Sequence, residues 1–250
     1  MITLYSSGFS PFSRKIQMVL EFKNLEFELV EVENETSVKN FEQINQRKEV
    51  PVLVDDGLTV VNSADIVAYL DHQYPSSPVL PESPAARVLA RKWERLSDTL
   101  LDAITVDLII WNWADIGPRP KGLLEAGKED LEKIYQQLDL DLRNKSFVCG
   151  ELSIADIALF PHLAAVKLLG IPFDKVRHSN LYGWYKTMRE QPICQADLIK
   201  LKAWFSTINE RPLERYKIAW RGDRLEWLLA KGFHQWFYTQ IEQDKVIWPL

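Results

Sequence analysis

Strand signals in this 250-residue chain stop at about residue 74, and only helical periodicity follows. Before that point, β-like and helical runs alternate. A chain with this asymmetry has to build two unlike units, a small sheet with packed helices and a helical bundle. The break itself, "YPSSPVLPESPAA" (Tyr74–Ala86), holds four prolines and reads as a linker. We divide the chain into a first domain at 1–76, a linker at 77–86 and a helical domain at 87–250, with 194–250 as an extended tail. All nine tryptophans fall between Trp93 and Trp248, so the two units also pack differently.

Within the first unit, Ile2–Ser7 reads as a buried strand. Ser13–Asn24 reads as a helix with Ile16, Val19, Leu20 and Phe22 or Lys23 inward. Glu26–Val32 is a strand and Ser37–Asn45 a weak helix. Val50–Ser63 is a hairpin turning at Asp56-Gly57, and Ser63–Tyr74 is a helix with Ser63 as its N-cap. The order βαβαββα predicts a four-stranded mixed α/β sheet. In the second unit, Leu89, Trp93, Leu96, Leu100, Ile104, Leu108 and Trp111 fall on one face of a long helix. "LSIADIALFPHLAAVKLLG" is apolar nearly all round and predicts a buried helix, opened by Ser153 and Asp156 as a capping box.

Net charge is -5, which excludes bulk attraction to nucleic acid or anionic lipid. The two cysteines, Cys149 and Cys194, form no CxxC pair, so a reducing compartment is expected. The first residues lack a signal-peptide pattern, and no apolar run approaches the roughly 20 residues that span a bilayer. A cytoplasmic protein is expected. His72, His162, His178 and His234 are scattered without metal-ligand spacing, and no phosphate loop, GxSxG elbow or HExxH motif occurs.

Three motifs remain. In "SPFSRKI" (Ser10–Ile16), serine stands where small redox proteins place cysteine between a strand and a helix. Ser10 or Ser13 is either a helix cap, with Pro11 in the first turn, or a working hydroxyl. In "EVPVL", Pro51 opens a strand. Taken alone it favours an edge position with an ordinary trans bond, because cis X-Pro bonds are a minority. In "NSADI", Ser63 at a helix start is a cap, a carboxylate receptor, or both.

Together, "SPF", "VPVL", "NSADIVAYL", the proline-rich linker and "GELSIADIALFP" resemble the cytosolic glutathione transferases over about Met1–Pro192. The resemblance implies a thioredoxin-like N-terminal domain, an all-α C-terminal bundle and a homodimer. It implies a cis bond at Pro51, reversing the reading above. It implies glutathione binding at Phe12, Val50, Pro51, Asn62 and Ser63, with the Val50 backbone pairing the cysteinyl part and Ser63 holding the γ-glutamyl carboxylate. "SPF" is similar to the serine-type, tau-like members, so Ser10 becomes the catalytic candidate: its hydroxyl donates to the glutathione sulfur and favours the thiolate. Glutathione is the co-substrate and no other cofactor or metal is expected.

The family pattern is departed from at Asn62, Gln46 and Glu49. Glu49 brings negative charge towards an anionic tripeptide, and Lys48 or Arg14 is the cation expected to offset it. The second substrate is expected to be a small apolar electrophile. Its pocket is expected to involve Trp111 or Trp113, which lie two apart and so cannot share a helix face. The other function weighed is a non-catalytic module that binds a protein partner through the Trp/Phe-rich tail. The tail itself is expected to fold back on its own helical domain.

Overall fold

The computed structural model describes residues 1–32, 41–112, 117–210, 218–219 and 222–248. Strand β1 (Ile2–Ser6) lies inside a four-stranded sheet of order β2-β1-β3-β4. It runs parallel to β2 (Phe27–Glu31) and antiparallel to β3 (Val52–Asp55), which pairs with β4 (Leu58–Val61). Helix α1 (Pro11–Phe22) makes the crossover between the parallel pair. Asp56 (φ 46°) and Gly57 (φ 87°) both sit in the left-handed region, the geometry of a tight hairpin turn. The helix expected at 37–45 lies in part outside the described residues. Its described end closes on the Phe41 carbonyl, which accepts from the Ile44 and Asn45 amides. Helix α2 (Ser63–Gln73) completes the unit.

The helical domain starts at Pro84, three residues inside the stretch expected as linker. It runs α3 (Pro84–Leu96), α4 (Asp102–Ile109), α5 (Leu123–Asp141), α6 (Ile154–Ala165), α7 (Ser179–Glu190) and α8 (Pro192–Glu210). The single long helix predicted from Leu89 to Trp111 is instead α3 and α4 joined by one wide π turn, Ser97–Leu101. The extra residue shifts the phase, so Leu101 is fully buried and Leu100 only partly. His178, not the Ser179–Asn180 pair, stands at the cap of α7.

The linker is pinned rather than loose. Lys23 Nζ pairs with Asp71 at 2.8 Å and donates to the carbonyls of Tyr74, Ser76 and Ser77. The Asp71 carboxylate in turn accepts the Val79 and Leu80 amides. At the start of α6, the buried Asp156 carboxylate accepts from the Ser153 and Val148 amides and from the Trp184 indole.

The tail was expected to hold two or three helical segments. It holds α9 (Gly222–Ala230) and α10 (His234–Glu242), and also a two-residue parallel pair, β5 (Ile218–Ala219) with β6 (Val246–Ile247). It lies on the helical domain: Trp227 donates to Asp130 at 3.0 Å, and Arg224 forks onto Asp102 at 2.8 and 3.3 Å.

Helix α1 does not show one apolar face. Ser13, Arg14, Lys15 and Gln17 are buried along with Ile16, Val19 and Leu20. The reason is its position: it packs on α2 and, from the second domain, on α6 and α8, and its Gln17 side chain donates to Ser6 of β1. Its charges are matched from the second domain. Arg14 forks onto Asp197 of α8 at 2.8 and 2.6 Å, both side chains almost fully buried. Lys15 meets Asp98 at 2.6 Å and Glu94 at 3.4 Å.

A buried pair of this kind penalises loss of one partner far more than loss of both. Asp197→Leu alone is expected to destabilise the protein by ~3–5 kcal/mol by stranding the guanidinium. The double variant Arg14→Met/Asp197→Leu is expected to recover most of that in urea denaturation.

Candidate functional site

A cleft of about 750 Å³ opens between the two domains. Its first-domain wall carries Phe12, Val50, Pro51, Asn62 and Ser63, five residues separated in sequence by up to 51 positions. The sheet explains how they meet. The loop leading into β3, the turn after β4 and the first turn of α1 all open at the same end of the domain. The Val50–Pro51 bond is cis.

The start of α2 differs from expectation in one respect. Asn62, not Ser63, is the N-cap: its side-chain oxygen accepts the Ala64 amide at 3.3 Å, and its side-chain nitrogen donates to Asp65 at 3.0 Å. Asn62 has φ 69° and ψ 123°, a positive-φ conformation outside the left-handed helical basin that non-glycine residues seldom adopt. With the cap supplied by Asn62, the Ser63 hydroxyl has no hydrogen-bond partner among the described residues, although the residue is buried in the cleft wall. First-turn amides of a helix lack internal partners, so this corner is prepared for an anionic group.

Neither cation expected to offset Glu49 does so. Arg14 is spent on Asp197, and Lys48 pairs with Glu42. Arg47, which sequence reasoning passed over, forks onto Glu49 through Nε at 3.1 Å and a terminal nitrogen at 2.9 Å. The signal was the i, i+2 spacing at a turn, which periodicity arguments do not weigh.

Ser10 is the N-cap of α1; its Oγ accepts the Ser13 amide at 3.3 Å. Ser13 does not act as that cap; its own Oγ accepts the Ser7 amide. Ser10 is not part of the cleft wall. It stands two residues before Phe12, which is, because α1 turns its first side chains in different directions. The loop ahead of Ser10 is covered by the second domain. Trp204 of α8 stacks on Phe9 with ring centroids 5.5 Å apart, and a Cβ placed on Gly8 would lie 2.6 Å from the Trp204 ring. Glycine there allows the close approach.

The opposite wall comes from the helical domain: Arg91, Glu94 and Arg95 of α3, then Asp98 and Thr99 in the π turn. The tail adds Gly222 and Asp223 at the start of α9. Burial pushes the Asp98 carboxyl up to about 6, against the opposing pull of Lys15. Trp111 is not in this wall. It is half-buried and packs on Trp236 of α10, ring centroids 5.5 Å apart, so the tail takes the surface it was expected to offer a substrate. Trp113 lies outside the described residues. Among the described residues, no group of three His, Cys, Asp or Glu side chains is placed to hold a metal ion, and no helix is long and apolar enough to cross a membrane.

A mixed four-stranded sheet, a cis proline facing an interdomain cleft and an all-helical partner domain together define a thioredoxin-like domain fused to a helical bundle. Comparison with known proteins gives the same class. Residues 4–78 match the family model for the glutathione S-transferase N-terminal domain, and residues 111–192 match that for the C-terminal domain. A probable glutathione S-transferase of Nicotiana tabacum is 30% identical over 159 residues, covering 63% of this chain and 67% of that protein. Among solved structures, a glutathione S-transferase from Rhodospirillum rubrum superimposes with a TM-score of 0.70 at 26% identity, covering 79% of this chain and 92% of that one. One from Methylobacillus flagellatus, solved with glutathione bound, gives 0.67 at 27% identity, covering 79% and 98%. The chain belongs to the glutathione S-transferase family, a family of transferases.

Two outcomes follow from this geometry. Gly8→Ala is expected to destabilise the protein by ~1–3 kcal/mol through overpacking against Trp204. In a double-mutant cycle with Trp204→Leu, read by thermal unfolding, most of that penalty should disappear. The second concerns Asp98. Its folded-state carboxyl is raised from the ordinary 3.8 to about 6. Protonation therefore favours the folded state. The stabilising contribution is complete below about pH 4 and is lost as pH rises through 6. Urea midpoints at pH 4, 5, 6 and 7 should show Asp98→Asn gaining on the wild type across that interval.

Proposed function

We propose that the chain conjugates glutathione through its thiolate to a small electrophile, in the cleft between the domains. The observation that carries this reading is the convergence of Val50, cis-Pro51 and the unpartnered Ser63 hydroxyl in one cavity. The backbone at Val50 would pair with the cysteinyl part of glutathione as an added strand. Ser63 and the first amides of α2 would hold the γ-glutamyl carboxylate. Glu49 does not oppose this, because Arg47 neutralises it.

Ser10 is the residue we assign to the sulfur, which makes this a serine-type, tau-like member. Its cap bond uses a lone pair of Oγ and leaves the hydroxyl proton free to donate. A hydrogen bond to the thiolate, with the positive end of α1 close by, lowers a thiol pKa that is ordinarily about 8.5. Attack by the thiolate forms the C–S bond, and the electrophile's leaving group departs with its electron pair. No cofactor beyond glutathione is required. We further read the protein as a cytoplasmic homodimer whose C-terminal stretch extends beyond the usual length of its family.

Retention on immobilised glutathione and turnover of 1-chloro-2,4-dinitrobenzene test the reading; absence of both would sink it. Ser10→Ala is expected to lower kcat about 100-fold, the lower end of the loss typical of removing one preorganised donor. It should also raise the pKa of bound glutathione, followed as thiolate absorbance across pH. Unchanged turnover and absorbance would exclude Ser10 from the chemistry.

A further inference from the structure

We infer that the second substrate carries an anionic group, a carboxylate or similar small anion, and that Arg95 binds it. This rests on the transferase reading and names the class of its electrophile.

The helical-domain wall of the cleft offers little to an apolar molecule. Arg91, Glu94, Arg95, Asp98 and Thr99 occupy it, with no large apolar side chain among them. The tryptophan expected there is packed on the tail instead. Most of the charge is already matched. Arg91 pairs with Glu94 at 2.5 Å, while Lys15 lies at 3.4 Å from Glu94 and 2.6 Å from Asp98. Two cations and two acids close on themselves. Across the cleft, Arg47 and Glu49 form a second matched pair.

Arg95 stands apart from both groups. It follows Arg91 by one helical turn, is exposed into the cleft, and its guanidinium has no ion pair or hydrogen bond among the described residues. Asp223 of the tail lines the same cavity and makes no ion pair with it. A guanidinium presents a planar fork that matches a carboxylate with two parallel hydrogen bonds. Within a concave wall such a contact is screened less than on open surface. The remaining positive charge of the wall is therefore a receptor for an anion on the electrophile, while glutathione occupies the Val50–Ser63 side.

The probe pair is 4-chloro-3-nitrobenzoate and 4-chloro-3-nitrobenzamide. In both, the thiolate sulfur attacks the ring carbon bearing chlorine. The C–S bond forms, the C–Cl bond breaks, chloride leaves with the bonding pair, and the thiol proton goes to solvent. Each kcat/KM is divided by the uncatalysed rate with glutathione. The benzoate-to-benzamide ratio is expected to fall about tenfold in Arg95→Gln, as loss of one charge-assisted contact implies, and to recover partly in Arg95→Lys. An unchanged ratio overturns the proposal. So does a rise confined to the KM for glutathione, which would assign Arg95 to the tripeptide. A wild type that conjugates 1-chloro-2,4-dinitrobenzene but neither probe also overturns it and leaves the transferase reading standing; conjugation of none of the three removes that reading itself. Calorimetric binding of S-(4-carboxybutyl)glutathione against S-pentylglutathione checks the same ratio without turnover, with the preference for the acid expected to drop about tenfold in Arg95→Gln.

Discussion

Two adjacent cations on α1 hold the architecture together. Arg14 and Lys15 belong to the first domain by sequence, yet every acid that satisfies them comes from the second: Asp197 from α8, Glu94 from α3 and Asp98 from the π turn. Burying a cation without such partners costs several kcal/mol. The first domain therefore cannot close its own core without leaving charge exposed or stranded. The cleft lies beside this contact, and two of its wall residues, Glu94 and Asp98, take part in the ion pairs that join the domains.

That coupling extends to the chemistry. Asp98 and Glu94 are both wall residues and the partners of Lys15. Ser10 lies four residues before Arg14 and caps the helix that carries both cations. Trp204, on the same helix as Asp197, covers Phe9 and Gly8 in the loop before Ser10. The strand-to-helix loop is thus fixed at its far end by the helix cap and from above by α8. A loop held at both points keeps a hydroxyl in place without needing a ligand to order it.

The sheet and most helices were legible in the sequence because their signals are local. The β-branched residues of β3 and β4, the Asp56-Gly57 turn and the apolar run of α6 each follow from neighbours a few residues apart. The grouping of the first-domain wall was legible as well: Phe12, Val50, Pro51, Asn62 and Ser63 do meet in one cleft. What escaped depends on long-range packing. Arg14 and Lys15 look like a solvated pair until a second domain covers them. Trp111 looks like a pocket residue until Trp236, 125 positions later, takes its face. The π turn shifts the helix by one residue, and no pattern of apolar residues distinguishes that from a straight continuation with a ragged face. Arg95 is invisible for the opposite reason: its distinction is that nothing among the described residues pairs with it.

The cap role that Ser10 plays and the catalytic role we propose for it use different parts of one atom's valence. The cap needs a lone pair on Oγ to accept the Ser13 amide, and the sulfur needs a proton from the same oxygen. An acceptor bond that holds Oγ at the start of α1 also fixes where its proton can point. Cysteine would cap weakly and bring a reactive sulfur of its own. Alanine would remove both functions. Serine can hold the helix and donate outward at once, so on the proposed reading a site with the frame of a cysteine motif would work with the sulfur carried by the ligand.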